Sequence, residues 1–474
     1  MTTTASAAAL EPPKVTPGPR GKPIIGSTLD FQKEPLLFCL RMAEQYGEMS
    51  KFRVGLDTWH LVNNAEFIHE ITVKQANIFH KPRLAKRLWK DFLGNGVLSL
   101  DGDEWKQEQK LIKPGFHKKR IDAYGEIMIE HTLEMLEEWT EGTRTNMCDD
   151  MTALTLRIVA KTLFDADVTK DAAIVGQAMH TLQACMVEHI NNPIPVPKWW
   201  PSKTNQRKLK AIADVENIVR KIINQRRTSG SDHGDLLSMM VLAQDESGRK
   251  MGDIQLRDEA MTLIFAGHET TAGALSWMSY IMAKEPEVVA KIREELDRVV
   301  GDRPPSVADL PELPYLEMVV KESMRFLPSV WGFMREPIED VRLGDYLIPK
   351  GDQVFISPYV IQHNPKYFPE PHKFIPERFT RENEKAIPKG AYVPFAAGAR
   401  VCLGKAFAMM ESKLILGTMV QQVDFTIDDD YEIDFLAQLS QQPRGGLPIH
   451  VRFRDKQTPT QNDTPDHPVA AKSA

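Results

Sequence analysis

The chain has 474 residues, of which 42% are hydrophobic and 26% charged, with a formal net charge of −6, a composition ordinary for a soluble globular protein. The acidic balance gives no support to nucleic-acid binding, and the apolar run at residues 5–10 is too short for a signal peptide or a membrane span. Four widely spaced cysteines, Cys39, Cys148, Cys185 and Cys402, form neither a C-x-x-C metal pattern nor a dense disulfide framework, so a reducing cytoplasm is the simpler setting.

Residues 1–20 read as a flexible tail running into a proline-rich hinge between Pro12 and Pro23. Pro35 to Tyr46 is patterned as an amphipathic helix, Met49 to Val54 and Thr58 to Asn63 as a hairpin, and Ala65 to Gln75 as a further helix. Between residues 82 and 100, Leu84, Leu88, Trp89, Phe92 and Leu93 alternate with basic side chains, the pattern of a helix packed on a core. Trp105 and Gln109 stand at i and i+4, on one helix face. Around them Lys106, Lys110, Lys113 and the run His117 to Arg120 make a basic neighbourhood in an acidic chain, ordinarily a solvated helix face. Prolines at 193, 195, 197 and 201 force a loop between two long helical stretches.

Asp253 to Ala283 predicts one long helix. Its middle, Ala266-Gly267-His268-Glu269-Thr270-Thr271, breaks the local rules: a glycine and two adjacent threonines are poor helix formers. Thr270 can turn its hydroxyl to the carbonyl of residue 266 and loosen the ladder, with Glu269 as an acid beside it. Such breaks in mid-element mark function, although a purely structural kink would look the same. Leu313 to Phe326 predicts a helix in which Glu322 and Arg325 meet at i,i+3, and Pro376-Glu377-Arg378-Phe379 follows. Two last strands are expected at Phe435 to Leu439 and Leu447 to Phe453, then a polar tail over 455–474.

The stretch Phe395-Ala396-Ala397-Gly398-Ala399-Arg400-Val401-Cys402-Leu403-Gly404 puts a cysteine at a helix entrance, where free N–H groups and the helix dipole favour the metal-binding thiolate. Gly398 and Gly404 remove side chains where a flat cofactor needs close approach. Arg400 supplies a cation suited to a carboxylate. An isolated cysteine would more simply be a small buried hydrophobe. With four fixed positions around it, the stretch resembles the F-x-x-G-x-R-x-C-x-G signature of the cytochrome P450 superfamily, and the resemblance runs from about residue 21 to residue 454.

That resemblance implies a mainly α fold with small β-sheets and a single haem-binding domain over 21–454. It implies haem b with Cys402 as iron ligand, and cofactor contacts from Arg400, Arg335, Trp105, Gln109, Phe395, Gly398, Gly404 and Ala266. Gln109 departs from the family's usual arginine, which throws propionate neutralisation onto Arg335 and Arg400. Thr270 and Glu269 match the segment that relays protons on the oxygen side. Glu322, Arg325 and Arg378 match a buried structural network. Leu88, Phe92, Leu263, Val330, Trp331, Phe333 and Leu439 become candidates for the substrate pocket, and the 191–201 loop for gating it. Lys106, Lys110, Lys113 and Lys405 become a face for an acidic electron donor.

The implied activity is hydroxylation or epoxidation of an apolar small molecule (fatty acid, terpenoid, steroid or polyketide) with dioxygen. Ala266 to Ala272 resembles bacterial fatty-acid hydroxylases. Electrons are expected from a separate ferredoxin or flavodoxin with its NAD(P)H-dependent reductase, serving a cytoplasmic monomer with no membrane anchor. Two alternatives stay open: a peroxide-driven or hydroperoxide-rearranging relative, and a non-catalytic haem sensor or electron carrier.

Overall fold

The computed structural model describes residues 12–167, 171–191, 200–229, 233–243, 250–437 and 440–454. Helix α1 (Pro35–Tyr46) opens on a proline whose missing N–H no helix start requires, and it ends at Gly47, at φ 79°. Strands β1 (Met49–Val54) and β2 (Asp57–Val62) pair antiparallel from Met49 opposite Val62 to Val54 opposite Asp57. Three distant segments complete their sheet: β3 (Phe79–His80) and, far along the chain, β4 (Phe333–Pro337) and β5 (Gln353–Ile356), in the order β1-β2-β5-β4-β3. The β2–β5 pair is parallel, which demands a long crossover, and most of the helices lie inside it. They include α2 (Arg83–Leu93), α3 (Gly102–Ile112), α4 (Met147–Phe164), α5 (Lys203–Ser229), α6 (Asp253–Lys284) and α7 (Pro314–Phe326). After β5 come α8 (Lys405–Gln422), β6 (Phe435–Ala437) and β7 (Gln441–Pro443).

The expected mainly helical architecture with small sheets is the observed one, and α6 is its axis. Helix α6 is buried on nearly every side, and α4, α5, α7 and α8 all pack against it. Leu156, Met261, Leu275, Leu316 and Leu416 belong to this one core. A second, aromatic cluster of Phe31, Phe38, Phe52, Trp59 and Phe355 fills the space between α1 and the sheet.

Two elements differ from the pattern reading. Ala65 to Gln75 is α-helical only over Ala65–His69 and then widens to a π turn at Glu70–Lys74, with Gln75 N–H donating to Glu70 O at 2.8 Å. Thr72 Oγ1 donates back to Ile68 O at 2.7 Å, competing for a helix carbonyl as threonine does. The last part of the chain also holds a strand, Gln441–Pro443, that the pattern does not predict. Phe435–Ala437 pairs with Gln441–Pro443, whereas Pro448–Phe453 joins a separate sheet with Val423–Thr426 and Arg144–Asn146. Gly445 and Gly446, at φ 82° and 89°, turn the chain from one sheet to the other, in a backbone region glycine adopts freely.

Candidate active site

Cys402 lies in the loop ahead of α8. The loop is fixed by Cys402 N–H donating to Phe395 O at 3.0 Å and Val401 N–H to Gly398 O at 3.1 Å. The residue is exposed, and it opens onto a cavity of about 390 Å³. Burial pushes the thiol up from its ordinary range, and the Gly404 N–H and the Lys405 ammonium pull it back. Gly398, at φ 69°, serves more than a flat ligand. A Cβ there would collide with the carbonyl of Thr72 in the π turn, so the widened turn and the cysteine loop touch backbone to backbone. Gly404 has ordinary φ and room around it: a Cβ added there would come no nearer to another group than 3.9 Å, from Cys402 Sγ.

Three cations line the same cavity. Arg400 stacks on the Trp105 ring at 3.8 Å, donates to Leu100 O at 3.0 Å and pairs with Asp101. Arg335 reaches the cavity from β4 and donates to Met334 O at 2.8 Å. Lys81, which no motif marks, is the third, its ammonium donating to Leu98 O. Burial, then the charges of Arg400 and Arg335, hold Lys81 down to about 7. Burial, then Arg400, draws Arg335 down to about 10. Asp101 is the carboxylate among them: it takes Arg400, Lys86 at 3.2 Å and the Lys81 N–H at 3.1 Å. It holds the N-cap position of α3 yet caps nothing there, so the sequence signal it gives is that of a helix start. Gln109 lines the cavity with its neutral side chain.

Across the cavity, Ala266, Thr270 and Leu263 present one face of α6. Thr270 Oγ1 donates to Ala266 O at 3.0 Å, and the Thr270 carbonyl accepts from Ser329 Oγ at 2.8 Å. Glu269 is not part of that face. Its side chain is 3% exposed, and its Oε1 accepts from Ser440 Oγ at 2.6 Å and from Gln442 Nε2 at 2.7 Å. The rest of the wall is mostly apolar, with Val97, Leu98, Phe116, Leu163, Val330 and Phe333 among a few hydroxyl side chains such as Thr262 and Ser329.

A sequence model of the cytochrome P450 family matches residues 16–447. The chain belongs to the cytochrome P450 family. Among curated relatives, cyclooctat-9-en-7-ol 5-monooxygenase of Streptomyces melanosporofaciens is 31% identical over 85% of this chain and 88% of its own. Pentalenene oxygenase of Streptomyces avermitilis is 27% identical over 88% and 92%. Among solved structures, a cyanobacterial P450 with bound retinoic acid superposes at a TM-score of 0.83, with 25% identity, covering 93% of this chain and 100% of that one. The protein is thus a cytochrome P450 monooxygenase.

The haem-thiolate cofactor of the family fits the residues this P450 brings together. Cys402 would supply a sulfur ligand, and Lys81, Arg335 and Arg400 are three enclosed cations with one carboxylate, Asp101, paired to Arg400 among them, a donor set short of anions that two propionates would complete. Of the pocket candidates, Leu263, Val330 and Phe333 line the cavity and three others do not. Leu88 and Phe92 turn to the core, Phe92 lying 5.1 Å edge-on to Phe265 of α6. Trp331, the residue after Val330, packs elsewhere, 5.4 Å from Phe355 in the aromatic cluster. Leu439, most of the proline loop, residues 1–11 of the N-terminal tail and the tail from 455 lie outside the described residues. Glu322 and Arg325 pair through two bonds of 2.7 and 2.8 Å with neither exposed. Arg378 reaches Glu322 at 3.4 Å, and Arg325 also donates to the carbonyls of Gln362, Pro371 and Lys373. Lys106, Lys110, Lys113 and Lys405 are exposed, Lys106 pairing with Asp103 at 2.8 Å. Among the described residues no helix is long and apolar enough to cross a membrane.

Proposed function

We propose that this P450 binds haem b through Cys402 in one domain over 21–454 and oxidises an apolar, terpenoid-like small molecule with dioxygen. The observation that carries the reading is the convergence on one cavity of Cys402, three cations and the Ala266–Thr270 face. Haem, when bound, supplies the binding and activation of dioxygen, and a thiolate ligand favours O–O cleavage. The chain's own residues do the rest. Lys81, Arg335 and Arg400 would neutralise the propionates, and Trp105 holds the Arg400 guanidinium against its ring. Lys405 and the Gly404 N–H stabilise the Cys402 thiolate. Thr270 holds a donor hydroxyl at the cavity edge, with its proton resupplied from Glu269. Val97, Leu98, Leu263, Val330 and Phe333 exclude water and hold the substrate by contact alone, which suits a hydrocarbon skeleton.

The named activities of the Streptomyces relatives favour a terpenoid over a long-chain fatty acid. Electrons are supplied by a separate ferredoxin or flavodoxin and its NAD(P)H-dependent reductase to a cytoplasmic monomer. The ligand assignment is tested by the reduced carbon monoxide complex: wild type gives the red-shifted Soret band of a thiolate, and Cys402→Ala loses it. Thr270→Ala is expected to keep consuming reductant while releasing peroxide in place of product; unchanged coupling would remove Thr270 from the relay. For substrate class, cyclic diterpene alcohols are expected to shift the resting spectrum to high spin at lower concentration than palmitic acid does. The reverse order would restore the fatty-acid reading.

A further inference from the structure

Glu269 is adjacent to Thr270 in sequence, yet its carboxylate is committed to a different part of the molecule. Both of its short hydrogen bonds come from strand β7 and the residue before it, from Ser440 at 2.6 Å and Gln442 at 2.7 Å. The residue between them is bonded just as firmly. Gln441 N–H donates to Ser329 O at 2.7 Å, Gln441 O accepts from Trp277 Nε1 of α6 at 2.9 Å, and Ser329 Oγ donates to the Thr270 carbonyl at 2.8 Å. A closed circuit therefore runs from Glu269 through Ser440 and Gln441 to Ser329 and back to Thr270. Ser329 is also cavity wall, between Pro328 and Val330. The acid and the alcohol of α6 are thus fixed relative to each other by the hairpin as well as by their own helix.

We propose that Ser440 and Gln442 are positioning residues for Glu269, which set where its carboxyl stands relative to Thr270 and tie that position to the cavity wall at Ser329. The proposal rests on the Glu269–Thr270 relay. A carboxylate oxygen holding two donors stays where they are. Nothing is consumed in this step: one proton passes from the Glu269 carboxyl toward Thr270 Oγ1 and is replaced from solvent. The hairpin residues touch neither substrate nor haem in this scheme, so their loss alters coupling and not affinity.

The test compares Ser440→Ala/Gln442→Leu, the milder Ser440→Ala, the conservative Ser440→Thr and Glu269→Gln in the haem-loaded enzyme. The double variant is expected to at least double the share of reductant recovered as peroxide, while the spectral dissociation constant of the substrate stays within twofold of wild type. Ser440→Ala should lie between, and Ser440→Thr, which keeps the hydroxyl, should restore coupling. An independent reading needs no turnover: in Glu269→Ala, the amide of Gln441 should exchange with solvent about tenfold faster, with or without haem, because the circuit is cut. If the double variant couples like wild type while Glu269→Gln is uncoupled, the hairpin assignment is overturned and the relay stands. If Glu269→Gln also couples normally, the relay itself is wrong and the positioning proposal falls with it.

Discussion

Lys81, Arg335 and Arg400 crowd three positive charges around Asp101, and the lysine yields most, held down to about 7 from its ordinary 10.5 by burial and by the two arginines. The consequence for the haem-free chain has a definite sign. In the unfolded state Lys81 keeps its proton to about pH 10.5, and in the folded state it loses it near pH 7. Between these values the unfolded chain binds more protons, so raising the pH favours the fold, by at most about 1.4 kcal/mol per pH unit. Below pH 7 the ammonium must be held buried among like charges. The haem-free protein is therefore expected to gain stability from pH 7 toward pH 10, and Lys81→Met to lose this slope, as measured by denaturant midpoints across that range. Propionates would supply the missing anions and flatten the slope in wild type when haem is added. A slope that survives Lys81→Met would place its origin elsewhere. Sequence reading reached Arg400 and Arg335 because they stand at fixed spacings in recognisable motifs. It missed Lys81 and Asp101 because a lone lysine ahead of a helix and an aspartate at an N-cap position are unremarkable until the fold brings them to Trp105 and Arg400.

The loop between α2 and α3 shows how one element positions another. Asn95 N–H donates to Asp258 at 2.6 Å and Val97 N–H to Glu259 at 3.1 Å, so two neighbouring carboxylates of α6 grip the segment that sends Val97 and Leu98 into the cavity. Gly96 allows the close approach, since a Cβ there would meet Thr262 Oγ1. Burial, partly offset by the Val97 N–H, pushes Glu259 up to about 8, with Glu108 and Asp258 adding to the rise. An acid raised in the fold contributes most at low pH, and that contribution is lost as pH climbs from the unfolded value of 4.5 through about 8. Glu259→Gln keeps an acceptor for Val97 and removes the ionisation. It should unfold at nearly the wild-type temperature at pH 5 and at a higher temperature than wild type at pH 9. Equal melting temperatures at both values would mean that Glu259 is solvated. At this scale the sequence was legible where period and rule-breaking coincide: the bounds of α1, α6 and α7 follow the pattern to within a residue or two. The β6–β7 hairpin was misread because Gln441-Gln442-Pro443 has little strand propensity. Its pairing comes from partners on α6 and at Ser329 that lie more than a hundred residues away.

Over the whole molecule, the parallel β2–β5 pair carries most of the helices in its crossover, and the Glu322–Arg325 pair pins the region after it. Both charges are fully buried, and Arg325 holds the carbonyls of three residues between 362 and 373. Removing one partner strands the other, at a cost of about 3–5 kcal/mol. The mostly helical class and the family were readable because motifs from Trp105 to Cys402 must meet on one cofactor. Which neighbouring side chain faces the cavity was not, as Val330 and Trp331 show, because they lie ahead of strand β4 in a segment with no regular period to read. Charge is the property that belongs to this scale. The chain is acidic overall, at −6, yet α3 and the Lys113–Phe116 turn present exposed lysines beside the cysteine loop. Phe116 of that turn and Trp105 of α3 both line the cavity with Cys402, and Lys405 begins the helix that follows it. A docking acidic donor would meet this basic face on the side of Cys402, and the field of exposed charges reaches about 8 Å at 0.15 M salt. Lys110→Glu/Lys113→Glu is therefore expected to slow reduction by an acidic ferredoxin at least tenfold at low salt, with the difference shrinking as salt rises. Lys203→Glu/Lys221→Glu on α5 changes the net charge equally and should leave the rate near that of wild type. Stopped-flow reduction across a salt series separates the cases: equal slowing by both pairs would trace the effect to overall charge, and no slowing by either would return the α3 face to ordinary solvation.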